Sequence, residues 1–106
     1  MRVEVEFTTR ARQQLLVLVS ARVPTKDDAV QFAELYVEDI ELQFQKYEGV
    51  PPGAEERRGA NGKVWWWHYA DGIWTVYRKS IRTARFFRPA TVFIRVISFR
   101  ARRPGP

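Results

Sequence analysis

Cysteine is absent from this chain of 106 residues, and histidine occurs once, as His68. Disulfides, thiolate nucleophiles and cysteine-held metals are therefore excluded, and a single imidazole cannot build a histidine metal cluster. No apolar run approaches the roughly 18 residues needed to span a bilayer. The opening MRVEVEF alternates like a strand instead of resembling a secretory leader, so a cytoplasmic location is expected. There is no glycine-rich phosphate loop after a strand and no pair of carboxylates near the basic part of the chain. No cofactor and no metal is expected.

Acid is scarce in one half only. Up to Glu56, six basic residues stand against eleven acids, a balance of −5; beyond it, twelve stand against one, Asp71, a balance of +11. A small domain so divided has two electrically distinct surfaces, and the basic one suits a polyanion or an acidic protein. An ordinary solvated basic surface is the alternative. Apolar residues make up 45% and charged residues 28%, proportions that give one globular domain with one modest core.

Met1 to Phe7 puts Val3, Val5 and Phe7 in alternation with Glu4 and Glu6, the period-two pattern of a strand with one face buried. Thr8 and Thr9 then offer caps for a helix through ARQQLLVLVSAR. Thr25 caps a second helix with Asp27 and Asp28 at the positive end of its dipole. In it Ala29, Phe32, Ala33, Tyr36, Val37, Ile40, Phe44 and Tyr47 recur at helical spacing, while Glu34, Glu38, Asp39 and Glu41 fall mostly off that stripe. Gly49 and Pro51-Pro52-Gly53 stop it.

GAEERRGANG reads as a polar loop, with Glu55 and Glu56 as solvated charges. Strands are expected at Val64–Tyr69 and Ile73–Arg78, joined through Ala70-Asp71-Gly72 with glycine at positive φ, and at Thr91–Phe99, which is apolar on both faces for most of its length. KSIRTARFFRPA, between the last two, fits no element, and ARRPGP reads as a frayed basic tail. The expected fold is α+β: two consecutive helices on one face of a small four-stranded sheet, antiparallel or mixed, in the order β-α-α-β-β-β. The domain spans residues 1–103, with a short tail at 104–106.

All four tryptophans and the histidine fall within GKVWWWHYADGIWTVYR. Alternation puts Trp65 and Trp67 on one strand face and Trp66 with His68 on the other, so all cannot be core. Either Trp66 packs on the helices while Trp65, Trp67 and Trp74 line the free face, or the reverse. On a free face, indoles stack on bases or form an apolar patch that a partner covers. His68 is either a partly exposed strand residue or a proton donor near neutral pH. Arg78, Lys79, Arg82, Arg85 and Arg88, with Arg100, Arg102 and Arg103 after the last strand, supply guanidinium and ammonium groups for phosphates.

MRVEVEFTTRARQQL, the long capped helix with its Gly/Pro stop, RRGANGKVWWWHYADGIWTVYRK and VFIRVISFRARR together resemble the RelE/ParE superfamily of toxins from bacterial type II toxin–antitoxin pairs, over Arg2 to Arg103. The resemblance implies a toxin that inhibits translation by metal-independent cleavage of ribosome-bound mRNA, assisting a ribose 2′-hydroxyl to attack the next phosphate. It places the family's arginine beyond the last strand on Arg102, with Arg100 and Arg103 as near alternatives. Three charged positions of the family fall on Trp65, Trp67 and Trp74, and the C-terminal tyrosine of some members has no counterpart in RRPGP. A ParE-like member, acting on DNA gyrase without nuclease chemistry, or a nucleic-acid binder of the same fold is the alternative. In either case the implied partner is an antitoxin whose acidic, partly disordered segment covers the sheet. The implied nucleic-acid contacts are Trp65, Trp67, Trp74, Arg78, Lys79, Arg82, Arg85 and Arg88.

Overall fold

The computed structural model describes residues 2–82 and 90–104. Strand β1 (Arg2–Phe7) leads into helices α1 (Thr9–Ser20) and α2 (Lys26–Lys46), followed by strands β2 (Glu55–Arg58), β3 (Val64–Ala70), β4 (Ile73–Arg82) and β5 (Thr91–Arg100). The five strands form one sheet in the order β1-β5-β4-β3-β2. β1 runs parallel to β5, and every other pairing is antiparallel. The sheet is therefore mixed, with the N-terminal strand docked beside the last one. No helix among the described residues is long and apolar enough to cross a membrane.

Both helices begin as the sequence predicts. Thr8 Oγ1 accepts from Ala11 N, and Thr25 Oγ1 accepts from Asp28 N, each at 3.1 Å. They cover one sheet face through Ala11, Leu15 and Val19 of α1 and Ala29, Tyr36, Ile40 and Phe44 of α2. These pack on Val3 and Phe7 of β1, Ile73 and Tyr77 of β4, and Val92, Ile94, Val96 and Phe99 of β5. At the centre, Phe44 meets the Tyr77 ring edge-on at 4.7 Å. The Tyr77 hydroxyl donates to the Gly49 carbonyl at 3.0 Å, and burial raises its pKa.

The expected four strands become five because Glu55–Arg58 is an edge strand and not a loop. Its four charged residues carry no hydrophobic alternation, but short charged strands are how sheets cap an open edge. β4 also continues past Arg78 to Arg82, taking in the first residues of the segment that fitted no element. Residues 83–89 of that segment, with Arg85 and Arg88, lie outside the described residues. The tail is not simply frayed at its start either: Pro104 is buried.

Two backbone features orient the sheet's side chains. Asp71 and Gly72 both have positive φ, 53° and 77°, which makes the β3–β4 connection a two-residue turn closed by Ala70 and Ile73. Farther along, Val76 pairs with Ser98 but Tyr77 pairs with Val96, so β5 spends one extra residue, Ile97, in a bulge. The bulge resets the alternation. Val92, Ile94 and Val96 face the helices, and after it Phe99 does so too, while Ser98 and Arg100 turn to the other side.

Gly49 and Gly53 provide a matched test of packing, since both are left-handed, at φ +85° and +84°. A Cβ on Gly53 meets nothing within 4 Å, whereas one on Gly49 falls 2.7 Å from Cδ1 of the buried Ile94. Gly53→Ala should cost about 1 kcal/mol, the price of left-handed backbone alone. Gly49→Ala should cost a further 1 to 3 kcal/mol or so for overpacking. Urea midpoints measure both, and equal shifts would mean that Ile94 yields freely.

Candidate nucleic-acid interface

The face away from the helices collects the aromatic and basic residues. Arg57 pairs with Trp65, Arg78 lies over the Trp65 ring and pairs with Arg95, and Arg95 pairs with Glu6, so the five form one row running from β2 to β1. Trp74 lies between Tyr69 and Arg100 in another row, and Val76 sits beside Trp67 and Ser98 between the two. Trp65, Trp67 and Trp74 thus share the free face, and Trp66 and His68 share the helix face, as alternation required. Trp66 stacks on Tyr77 at 6.3 Å at the margin of the core.

Each aromatic ring of this face that follows carries a guanidinium. Arg78 lies 4.1 Å over Trp65, Arg82 4.5 Å over Phe93, Arg57 5.1 Å over Trp67 and Arg103 5.9 Å over Trp74. Lys79 does not join them, because alternation sends it to the other face, 5.6 Å from Trp66. Tyr69 is the exposed aromatic of the face, tilted against Trp74 at 4.9 Å.

A cleft of about 420 Å³ opens among these residues, lined by Arg10, Arg57, Arg58 and Arg100 with Trp65, Trp67 and Pro104, and, among the described residues, by no acidic side chain. Arg100, which the bulge turns outward, donates from Nε to Ser98 Oγ at 3.1 Å. Arg103 is drawn across the face to Glu55 at 3.2 Å, and the same carboxylate holds Arg57 at 3.2 Å. These pairs are half-exposed, so each contributes little stability and serves mainly to set geometry. Arg102 is exposed beyond β5 and enters none of these contacts. A larger cleft of about 650 Å³ lies toward β1, where Glu4 and Glu6 are outnumbered by Lys63, Arg78, Lys79, Arg82 and Arg95.

Arg10, Arg57 and Arg58 were not legible as site residues. Arg10 sits in the first turn of α1, where the helix dipole disfavours a cation by a few tenths of a kcal/mol or more. That misplaced charge was the available signal. Arg57 and Arg58 lay hidden in the supposed loop. Arg95 is the one charge within an apolar strand and stands on the free face between Glu6 and Arg78.

The tryptophans divide differently from the simple expectation that the helix-side indole is core and the others exposed. Trp67, on the free face, is the most buried at 7% exposure, while Trp66 is only half-buried. Arg57 above Trp67, buried Val76 beside it and Pro104 along the same cleft account for this. Trp67→Ala should therefore cost about 3 to 5 kcal/mol, as deletion of a core indole does. Trp74→Ala, at a half-exposed ring, should cost much less, and equal losses in thermal denaturation would undo this ranking.

His68 is buried at 7% exposure opposite Thr75, and among the described residues neither its Nδ1 nor Thr75 Oγ1 has a hydrogen-bond partner. Burial lowers its pKa below the ordinary 6.5, opposed only by the Pro52 backbone, and it faces the helices, so it is no proton donor to the free face. Its neutral form is favoured by folding. As pH falls through the unfolded value, the unfolded chain takes up a proton that the folded one resists, and stability is lost. Wild type should lose more Tm than His68→Gln between about pH 7.5 and 5.5, and parallel curves would refute the assignment.

A scan against protein-family models and searches of curated proteins and of solved structures return no match to this chain.

Proposed function

We propose that the protein is a cytoplasmic toxin of the RelE/ParE kind that inhibits translation by acting on ribosome-bound mRNA, with the free sheet face as its RNA surface. The observation that carries this is the cleft of about 420 Å³ with four arginines and, among the described residues, no acid. Such a seat attracts phosphate strongly and repels little. The element order supports the reading further, since two helices shield one face of the sheet and leave the basic one open. Its cognate partner is an antitoxin whose acidic segment competes with RNA for the same arginines.

Cleavage would proceed by charge stabilisation. Arginines around the phosphate offset the charge that builds as the ribose 2′-hydroxyl loses its proton to water and bonds to phosphorus while the P–O5′ bond breaks, leaving a 2′,3′-cyclic phosphate and a 5′-oxygen that takes a proton from water. Arg100 is better placed for this than Arg102, because it lines the cleft while Arg102 stands outside the contacts that define it. A second reading, a binder without nuclease activity that acts on RNA or on gyrase, is favoured by one observation. His68 is buried on the opposite face, and the basic groups lining the cleft are arginines, which do not give up protons near neutral pH.

Ribosome-dependent cleavage of mRNA in a purified translation system, with a chelator present, tests the first reading. Wild type should cut. Arg100→Ala should lose about two orders of magnitude or more in rate, the usual consequence of removing one preorganised charge, and Arg102→Ala should lose less. RNA binding without any cutting would give the second reading the field, and normal growth of a host producing soluble protein would count against a toxin of either kind.

A further inference from the structure

We propose that the free face grips the phosphodiester backbone of a single strand, and that its tryptophans hold arginine planes in place instead of stacking on bases. The inference rests on the RNA reading above and specifies which part of the RNA is recognised.

The rings are already occupied. Trp65, Trp67, Trp74 and Phe93 each carry a guanidinium within 6 Å of the ring centre. At 7% exposure Trp67 leaves too little surface for a base to stack on. A stacking platform requires several open, parallel aromatic surfaces, whereas on this face Tyr69 is open but tilted against Trp74, and Trp65, Trp67, Trp74 and Phe93 are capped by arginine.

The capping leaves the arginines able to act. A guanidinium lying on an indole contacts it through its plane, while its N–H groups radiate in that plane and remain directed outward, in the fork that matches phosphate oxygens. Stacking also removes rotamers that a long, free side chain would have to give up on binding. Side chains on one face of a strand recur every two residues, about 6.6 Å, so Arg57 of β2, Arg78 and Arg82 of β4 and Arg103 just beyond β5 form a set of held points across the face and not a diffuse charge cloud. Arg78 above Trp65 is the closest of these pairs, at 4.1 Å. It stands in the row that also holds Arg57 and Arg95. Arg78 and Arg82 form no ion pair among the described residues, whereas Arg57 and Arg103 share Glu55. Bases, in this arrangement, point away from the sheet and are not read by it.

Fluorescence anisotropy of a labelled ten-nucleotide oligouridine, competed with unlabelled oligouridine and with an abasic oligomer of the same number of phosphates, tests this on the wild-type protein. The abasic chain should compete within about threefold, because charge neutralisation sets the affinity, and both should weaken steeply with salt. Trp65→Ala should weaken both ligands alike by about three- to tenfold, the scale of one cation–π support. Arg78→Ala combined with it should add less than the product of the single effects, and Trp65→Phe should restore much of the loss. Strong RNA binding with an abasic competitor weaker by about thirtyfold or more, the scale of base stacking, would overturn the inference and leave the RNA reading standing. Binding of neither oligomer would remove both.

Discussion

The register of the β3–β4 hairpin is the constraint on which the rest of this protein depends. Asp71 and Gly72, both at positive φ, close the turn in two residues, and Arg22 from the end of α1 donates to the carbonyls of both. A slip of one residue would exchange the two faces of β3 and carry Trp65 and Trp67 into the helices. Gly72 cannot gain a side chain without meeting that arginine, since a Cβ there falls 2.8 Å from Arg22 Nη2. Tyr36 of α2 adds a second clamp, its hydroxyl donating to the Ala70 carbonyl at 3.1 Å, with burial pushing its pKa up to about 12. Helices and hairpin thus hold one another in the single alignment that segregates core from interface.

The β5 bulge does on one strand what the turn does on the hairpin. In regular alternation, Ser98 and Arg100 would follow Val96 toward the helices, and Phe99 would point away. The added residue at Ile97 reverses this, so Phe99 stacks on Phe7 at 6.1 Å and meets Tyr36 edge-on at 6.0 Å. Gln14 of α1 fixes the altered backbone by accepting from Phe99 N at 3.1 Å. Core packing of one aromatic ring and outward placement of one arginine are consequently the same event, and disturbing either disturbs both.

Much of this was legible in the chain, for identifiable reasons. Thr8, Thr25 and the stripe from Ala29 to Phe44 encode local structure that the tertiary fold then respects. The separation of Trp65 and Trp67 from Trp66 followed from period two, and Trp74 joined them through the hairpin register. Glu55–Arg58 was invisible because an edge strand needs hydrogen bonds from its neighbour and no apolar face of its own. The bulge was invisible because TVFIRVISF is apolar on both sides, so nothing in the pattern marks where alternation resets. The cleft was missed for a third reason. Arg100 was named from the sequence, but Arg10, Arg57 and Arg58 lie far from it in the chain and join it only through the order in which the strands are laid down.

The tryptophan cluster resolves into a division of labour that neither a core nor a bare stacking platform describes. Arginines brought together on one small surface repel one another, and such repulsion destabilises the compact state unless nearby groups absorb it. Here aromatic faces offer their negative quadrupoles to the guanidinium planes, and Glu55 pairs with two of the same arginines, Arg57 and Arg103. Burying Trp67 beneath Arg57 and beside Pro104 gives this face a packed apolar floor that the helices do not supply. The acids that could have neutralised it more fully, Glu34, Glu38 and Asp39, are carried by α2 on the other side of the sheet, exposed to solvent. The fold therefore keeps the cation-rich surface tolerable through its own rings and Glu55 and still leaves a surplus of positive charge for a polyanion to meet.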